Sequence, residues 1–147
     1  MPENNLELHL RPAGHGDFNQ IVEIERLCFP NTPWDEASLR RYDCTVAELE
    51  RRIVGFLISR EIVSASDSSE AEREILNVAV APNHRRRGIA RALLNHELAR
   101  GGTFFLEVRE SGLPARKLYK SLGFMQVGIR KEYYEFPRES AIVLRRK

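Results

Sequence analysis

The sequence predicts an α/β fold built on a mixed sheet, and three observations lead to that prediction. Some short segments alternate apolar and polar residues, as half-buried strands do. Others repeat apolar residues at helical spacing, and residues 74–81 are almost continuously apolar, as in a central strand covered on both faces. The order is one strand, two helices, three strands, a helix, a strand, a helix and two strands. This order predicts a sheet of six to seven strands flanked by about four helices.

Leucines at every second position predict the first strand, and the segment that Asp17 opens carries apolar residues at helical spacing. Thr32-Pro33-Trp34-Asp35 predicts the next helix start, because Thr32 can cap and Pro33 fits the first turn. A two-residue turn at 50–51 joins the next two strands. The expected elements are strands at 6–11, 45–49 and 52–63 and helices at 17–28 and 32–41.

Glycine and proline delimit the elements of the C-terminal half. A polar, serine-rich loop at 64–72 precedes the apolar strand, which Pro82 ends. Between Gly88 and Gly101 the apolar residues recur at helical spacing. Pro114 then opens another helix, which Gly123 ends. The expected elements are strands at 74–81, 103–109, 124–130 and 140–145 and helices at 88–100 and 114–122.

Composition narrows the possible functions. The chain of 147 residues has 23 Lys and Arg against 21 Asp and Glu, and this net charge of +2 does not by itself predict nucleic-acid binding. No apolar run approaches the roughly 20 residues of a membrane span. The N-terminal residues do not show the basic start and apolar core of a secretory signal, so we expect none. Two cysteines without metal-ligand spacing predict no metal. We therefore expect one domain over residues 1–147, in the cytoplasm, with no membrane partner.

Residues 76–91 are the segment whose sequence most clearly suggests a binding site. A central strand runs into a basic turn that contains glycine, and this turn opens a helix. Helix N-termini present backbone N–H groups and a positive dipole end, so such a turn can bind phosphate. Gly88 would let a ligand approach the backbone, and Ala90 keeps the next position small. The segment has neither the Walker A nor the dinucleotide-binding pattern. On these residues alone, a solvated basic turn before an ordinary helix is an equal alternative.

The hexapeptide RRRGIA at 85–90 resembles the R/Q-x-x-G-x-G/A signature of the GNAT superfamily of N-acetyltransferases. A second signature follows in order, the strand FFLEVRE and then the helix PARKLYKSLGF. Within that superfamily LEVR, LYKSLGF and IRKEYY are similar to the bacterial ribosomal-protein-alanine N-acetyltransferases, which acetylate the α-amine of an N-terminal alanine. The resemblance spans roughly the whole chain and is most specific over residues 74–134.

The resemblance implies acetyl-CoA as cosubstrate. Backbone N–H groups of residues 86–90 would hold its pyrophosphate, and Val78 and Val80 would pair with the acetyl-pantetheine arm. The N–H of Val78 would polarise the thioester carbonyl. The residues expected to contact the coenzyme are Val78, Val80, Arg85, Arg86, Arg87, Gly88, Ile89 and Ala90.

Two residues stand where this family places its general base and acid. Glu107 would accept the amine proton, and Tyr119 would protonate the departing thiolate. An α-amine has a pKa of about 7.7–8.0, so about a tenth is neutral at pH 7, and a carboxylate acting directly or through water is an adequate base. From the residues alone, Glu107 could instead be a solvated strand residue and Tyr119 a core tyrosine.

The acceptor is expected to be a protein N-terminus or another primary amine, with a ribosomal protein as one candidate. Trp34 is a candidate for lining the acceptor groove. Arg130, Lys131, Tyr133 and Tyr134 form a basic and aromatic patch where the resemblance places the acceptor site. The alternatives are a packing role for the tryptophan and an exposed strand end for the patch.

One departure and three rival functions stay open. Gly112 stands where the family usually carries an asparagine that contacts the coenzyme, which leaves room for a non-catalytic acetyl-CoA-binding module. The closest rival is the same fold acetylating a small amine or a lysine side chain. A nucleic-acid-binding protein using residues 85–87 is disfavoured, because no aromatic residues are interleaved there.

Overall fold

The computed structural model describes residues 7–63, 71–135 and 137–147, and this part of the chain forms seven strands and four helices. The strands are β1 His9–Pro12, β2 Asp43–Leu49, β3 Arg52–Ile62, β4 Glu72–Val80, β5 Thr103–Arg109, β6 Met125–Glu135 and β7 Arg138–Arg146. The helices are α1 Phe18–Cys28, α2 Glu36–Arg40, α3 Ile89–Leu98 and α4 Leu113–Ser121, with 3-10 turns at His15–Asp17 and Pro82–His84. Leu6 and residues 64–70, for which a strand start and a polar loop are predicted, lie outside the described residues.

The strands follow the sheet order β1-β2-β3-β4-β5-β7-β6. β4 and β5 are parallel, whereas β1–β2, β5–β7 and β6–β7 are antiparallel. A parallel pair needs a crossover connection, and α3 provides it between β4 and β5. The predicted α/β class and the predicted order of elements are confirmed. Each helix among the described residues is too short or too polar to cross a membrane.

The chain divides into two compact units, residues 1–58 with 77–96 and residues 59–76 with 97–147. In the first unit the completely buried apolar side chains come from all three of its helices and from β2 and β3. They are Ile21, Leu39, Val46, Ala47, Phe56, Leu57, Ile58, Leu93 and Leu94. A fully buried side chain of leucine size contributes about 1.5–3 kcal/mol, so this apolar set is the main source of the unit's stability.

Helix α2 begins later than the sequence predicts. Asp35 has the extended backbone of an N-cap, and its carboxylate accepts a hydrogen bond from the N–H of Ser38 at 2.8 Å. The prediction that Thr32 and Pro33 open this helix is therefore wrong by about one turn, because Asp35 caps it more effectively. The predicted turn between β2 and β3 is confirmed, with φ of 49° at Glu50 and 65° at Arg51. Both values suit a two-residue hairpin turn, although neither residue is glycine.

Charged side chains join β1, β2 and the start of α1. Arg11 lies 2.7 Å from a carboxylate oxygen of Asp17 and 2.6 Å from one of Glu48. Asp17 also accepts a hydrogen bond from the N–H of Gly14 at 2.6 Å. The hydrogen bond from the Arg11 guanidinium holds the pKa of Asp17 below its ordinary value, although burial opposes that shift. The ionised form of Asp17 is thus stabilised by folding.

The second unit contains a buried ion cluster around Glu97, which is 1% exposed. Its Oε1 accepts hydrogen bonds from the Ser59 hydroxyl at 2.7 Å and from Nε of Arg73 at 3.0 Å. Its Oε2 lies 3.1 Å from Nε of Arg100. These contacts tie the end of α3 to β3 and β4. Removing one partner of such a cluster leaves a buried charge, which costs about 3–5 kcal/mol.

The C-terminal hairpin is longer than the predicted strands at 124–130 and 140–145. β6 continues to Glu135, and β7 begins at Arg138. The pairing shifts register between Arg130 and Tyr134, and Glu132 has a φ of 54°. This irregularity explains the error, because the side chains of the extended part do not follow the simple alternation that predicts a strand.

Candidate active site

The predicted coenzyme turn lies in the first unit, between β4 and α3. Val78 is half-buried and Val80 is buried at the end of β4. The chain then makes the 3-10 turn and reaches Gly88, whose carbonyl accepts the hydrogen bond of Ala92 at 3.0 Å. Gly88 therefore caps α3, and the N–H groups of Ile89 and Ala90 lie in the first turn, where the helix itself supplies no acceptor. The predicted strand–turn–helix arrangement is confirmed.

Backbone conformation explains why this turn needs glycine. Gly88 has a φ of 76°, and a Cβ built there would meet nothing within 4 Å. Open space at a left-handed position allows another molecule to approach the backbone closely. Arg86 also has a left-handed φ, 63°, which costs a residue with a side chain about 1 kcal/mol or more.

The three arginines of the turn differ in their surroundings. Arg85, Arg86 and Arg87 are all exposed, but in the part of the chain that the structure describes only Arg85 of the three has hydrogen bonds to the end of β4 and to α1. The guanidinium of Arg85 folds back within its own unit, with Nε donating to the Val80 carbonyl at 3.3 Å and Nη2 lying 3.4 Å from Sγ of Cys28. Arg85 therefore also braces the end of β4, a role that sequence reasoning missed.

Gly55 is a second residue that sequence reasoning missed. A Cβ there would lie 2.9 Å from the Ala79 carbonyl oxygen, 3.3 Å from Cγ2 of Ile89 and 3.4 Å from Cδ1 of Leu93. A bare Cα on β3 thus allows the first turns of α3 to lie close to the sheet. The signal in the sequence is a glycine inside an otherwise apolar strand, which typically marks a close backbone approach.

Trp34 lies in the first unit between α1 and α2. It is half-buried, and its ring centroid is 6.2 Å from that of Tyr42. Its backbone N–H donates to Oε2 of Glu25 at 2.9 Å, and Oε1 of Glu25 accepts from Nδ2 of Asn77 at 2.6 Å. Sequence reasoning did not single out Glu25. The available signal is its place on the apolar stripe of α1, four residues after Ile21 and three before Cys28.

Glu107 lies in the second unit, on the half-buried face of β5. Its side chain is 16% exposed, and its Oε1 is 2.8 Å from Nε of Arg130 on β6. β7 separates the two strands, with Glu107 opposite Val143 and Arg130 opposite Ala141. Directly paired residues share a face, and so do residues two apart on one strand, so both long side chains meet above β7.

The predicted basic and aromatic residues Arg130, Tyr133 and Tyr134 lie together in the second unit, and Arg130 also contacts Glu107. The Arg130 guanidinium carbon lies 5.5 Å from the ring centroid of Tyr133, and the rings of Tyr133 and Tyr134 meet edge-on at 5.2 Å. The guanidinium of Arg109 covers the other tyrosine, 4.2 Å from the Tyr134 centroid. Burial, together with the charge of Glu107, raises the pKa of Tyr134 to about 12. Tyr134 is therefore a neutral hydrogen-bonding group at physiological pH.

Tyr119 also lies in the second unit, on α4. It is half-buried, and its ring meets that of Phe124 edge-on at a centroid distance of 5.8 Å. Burial raises the pKa of Tyr119 above its ordinary value, so its phenol keeps its proton at neutral pH. Gly112 precedes α4 without a side-chain cap, and a Cβ there would lie 3.1 Å from the Arg109 carbonyl oxygen.

The fold is of the α/β class, and comparison with known proteins identifies the family. Residues 17–124 match the family described as Acetyltransferase (GNAT) family. The chain is 35% identical over 141 residues to a [Ribosomal protein bS18]-alanine N-acetyltransferase of Haemophilus ducreyi, covering 87% of this chain and 92% of that protein. It is 33% identical over 144 residues to an N-alpha-acetyltransferase of Sulfurisphaera tokodaii, covering 87% and 86%.

A solved structure of an N-acetyltransferase is also similar to this chain. The ribosomal-protein-S18-alanine N-acetyltransferase of Escherichia coli superposes with a TM-score of 0.81 at 30% identity, covering 95% of this chain and 93% of that one. The chain belongs to the GNAT family. Its activity is accordingly that of an N-acetyltransferase.

Proposed function

We propose that this enzyme transfers the acetyl group of acetyl-CoA to the α-amine of a protein N-terminus, with an N-terminal alanine of a ribosomal protein as the preferred acceptor. The observation that carries the proposal is the partly shielded carboxylate of Glu107, held at 2.8 Å by the exposed Arg130 beside two tyrosines. This arrangement provides a proton acceptor together with groups that can bind a peptide. The names of the two relatives, a ribosomal-protein-alanine N-acetyltransferase and an N-alpha-acetyltransferase, support the same acceptor class.

The first unit provides the coenzyme site in this proposal. N–H groups of residues 86–90 bind the pyrophosphate, and the left-handed, open Gly88 fits that use, because a phosphate needs close approach to the backbone. The exposed Arg86 and Arg87 add positive charge. Val78 and Val80 present β4 backbone to the acetyl-pantetheine arm, and the N–H of Val78 polarises the thioester carbonyl.

The second unit provides the proton transfers. Glu107 accepts the proton that the α-amine loses as its nitrogen bonds to the thioester carbon, directly or through a water molecule. As the carbon–sulfur bond breaks, Tyr119 donates its proton to the sulfur. The amine proton thus ends on Glu107 and the phenol proton on the thiol, and no acyl-enzyme is formed. Exchange with solvent then removes the proton from Glu107 and returns one to the Tyr119 phenolate, which restores both groups for the next turnover. The reaction makes one amide and breaks one thioester.

Acetylation of a defined panel of amines tests this proposal. The panel holds peptides that differ only in their first residue (Ala, Ser, Met or Gly), an N-terminally blocked peptide with an internal lysine, and a polyamine. Mass spectrometry after incubation with acetyl-CoA should show the acetyl group on the α-amine, with the alanine peptide acetylated fastest. Acetylation confined to lysine or to the polyamine would overturn the proposal in favour of the rival acceptor classes.

A negative panel also decides between classes. Bound acetyl-CoA with no product from any amine would overturn the enzymatic proposal in favour of a binding module.

A ribosomal-protein acceptor is made in the cytoplasm, and a cytoplasmic location is part of the proposal. Direct contact with nucleic acid and with membranes is not part of it.

A further inference from the structure

Glu25 is a carboxylate enclosed in the first unit. It lies on α1 with 1% of its surface exposed. Burial raises the pKa of Glu25, and the hydrogen bonds that it accepts partly offset this effect. Burying a carboxylate costs several kcal/mol of desolvation that its hydrogen bonds must offset, whereas an apolar residue of similar volume would carry no such cost. The position therefore calls for a reason beyond packing.

The two partners of Glu25 suggest that reason. Oε2 accepts from the backbone N–H of Trp34 at 2.9 Å, and Oε1 accepts from Nδ2 of Asn77 at 2.6 Å. Neither donor is charged. Both contacts are therefore ordinary hydrogen bonds, which have preferred distances and angles and so fix the positions of the groups that they join. Trp34 belongs to the connection between α1 and α2. Asn77 is on β4, and the next residue is Val78.

This geometry joins two parts of the proposed reaction site within one unit. One is the connection that carries Trp34, the candidate acceptor-lining residue. The other is the stretch of β4 assigned to the thioester. An irregular connection has few backbone hydrogen bonds of its own, so one carboxylate bound to its main chain can fix its position.

We propose that Glu25 is a positioning residue for the acceptor: it holds the connection at Trp34 to β4 at Asn77 and thereby sets the affinity for the incoming amine substrate. The inference rests on the proposed function for the identity of that substrate. Glu25 itself touches neither substrate nor coenzyme in this account.

A pair of variants of similar side-chain length tests the inference. Glu25→Met removes both acceptors, whereas Glu25→Gln can still accept from Trp34 and can donate its amide to Oδ1 of Asn77 once that side chain turns over. With the alanine peptide, Glu25→Met should raise KM for the peptide about tenfold, the usual effect of a lost buried hydrogen bond. Its kcat and its KM for acetyl-CoA should change less than about twofold, and Glu25→Gln should stay close to the parent enzyme.

Fluorescence gives a readout that does not depend on turnover. Trp34 is the single tryptophan of the chain, so its emission reports this connection directly. In Glu25→Met, acrylamide should quench that emission more strongly than in the parent enzyme, and Glu25→Gln should quench like the parent. A purely structural role would lower Tm without separating the two KM values.

A second set of variants covers the case in which Glu25→Met does not fold. Asn77→Asp sets two carboxylates against each other and should raise peptide KM and quenching. The double variant Glu25→Gln with Asn77→Asp restores one donor and one acceptor and should return both toward the parent values.

The outcomes separate this inference from the proposed function. Folded variants with unchanged peptide KM and unchanged quenching would overturn the role of Glu25 while peptide acetylation stands. If the parent enzyme acetylates no peptide, the proposed function fails, and the quenching comparison still decides whether Glu25 holds the connection. If Glu25→Met changes kcat or the KM for acetyl-CoA as much as the peptide KM, the acceptor-positioning role is wrong.

Discussion

Oε1 of Glu107 lies 2.8 Å from Nε of Arg130, and the two side chains reach each other across the intervening strand β7. The carboxylate side chain is 16% exposed and the arginine side chain 59% exposed. The pair therefore presents a shielded base and an accessible cation. An arriving amine therefore competes with the Arg130 guanidinium for this carboxylate.

Glu107→Gln should lower kcat about a hundredfold, because the amide keeps the shape of the side chain but cannot take a proton. Binding of acetyl-CoA, measured by calorimetry, should stay within about twofold of the parent value. Glu110→Gln is a matched control, since Glu110 is an exposed glutamate directly after the same strand, and it should leave kcat unchanged. Equal kcat values for the parent and Glu107→Gln would show that Glu107 is not the base.

Tyr119→Phe should lower kcat about tenfold or more, because it removes the proton offered to the departing sulfur. The ring contact with Phe124, edge-on at 5.8 Å, stays in place, so Tm should be nearly unchanged. Stopped-flow turnover beside a thermal melt measures both effects. A large fall in Tm with a proportionate loss of activity would instead indicate that the hydroxyl is a buried structural group.

Gly88→Ala should raise the KM for acetyl-CoA about tenfold, because a Cβ at a φ of 76° strains the turn and fills space that a phosphate would approach. Gly101→Ala is the matched control. Gly101 has a φ of 80° and equally open surroundings, but it follows the C-terminal end of α3. Both variants should lose about 1 kcal/mol of stability, and only Gly88→Ala should affect the coenzyme. Equal KM values for the two would contradict a phosphate site at Gly88.

Local patterns were enough to predict most of the fold. The spacing of apolar residues and the positions of glycine and proline predicted the order of elements. Gly88 and Pro114 marked the starts of α3 and α4, because glycine allows the left-handed backbone before α3 and proline fixes φ in the first turn of α4. The late start of α2 was missed because Thr32 and Asp35 are both good caps, and it is the Asp35 carboxylate that accepts the hydrogen bond from the Ser38 N–H.

The site was harder to predict than the fold. Motif resemblance pointed to Glu107 and Arg130, but their pairing depends on the position of β7 between two strands that are distant in sequence. Glu25 and Gly55 had only weak local signals. Their importance comes from what lies opposite them, Trp34 and Asn77 in one case and Ala79 and Ile89 in the other. Such contacts are set by topology, which a single sequence specifies only indirectly.

The Arg11–Asp17 pair should make stability depend on acid pH. The pKa of Asp17 is lowered in the folded state, mainly by the hydrogen bond from Arg11, so the pair contributes fully above the unfolded pKa of about 4 and loses its contribution as the pH falls through the lower folded value. Asp17→Asn should cost about 1–2 kcal/mol of unfolding free energy at pH 7, and this difference from the parent should shrink toward pH 2.

Urea unfolding of both proteins between pH 2 and pH 7 measures this difference. Asp35→Asn is the neutral-pH control, because asparagine caps a helix as well as aspartate does, and the bond to the Ser38 N–H can be kept. This control should match the parent at pH 7. A constant difference between Asp17→Asn and the parent across the whole pH range would mean that the ionisation of Asp17 is not what stabilises the junction of β1, β2 and α1.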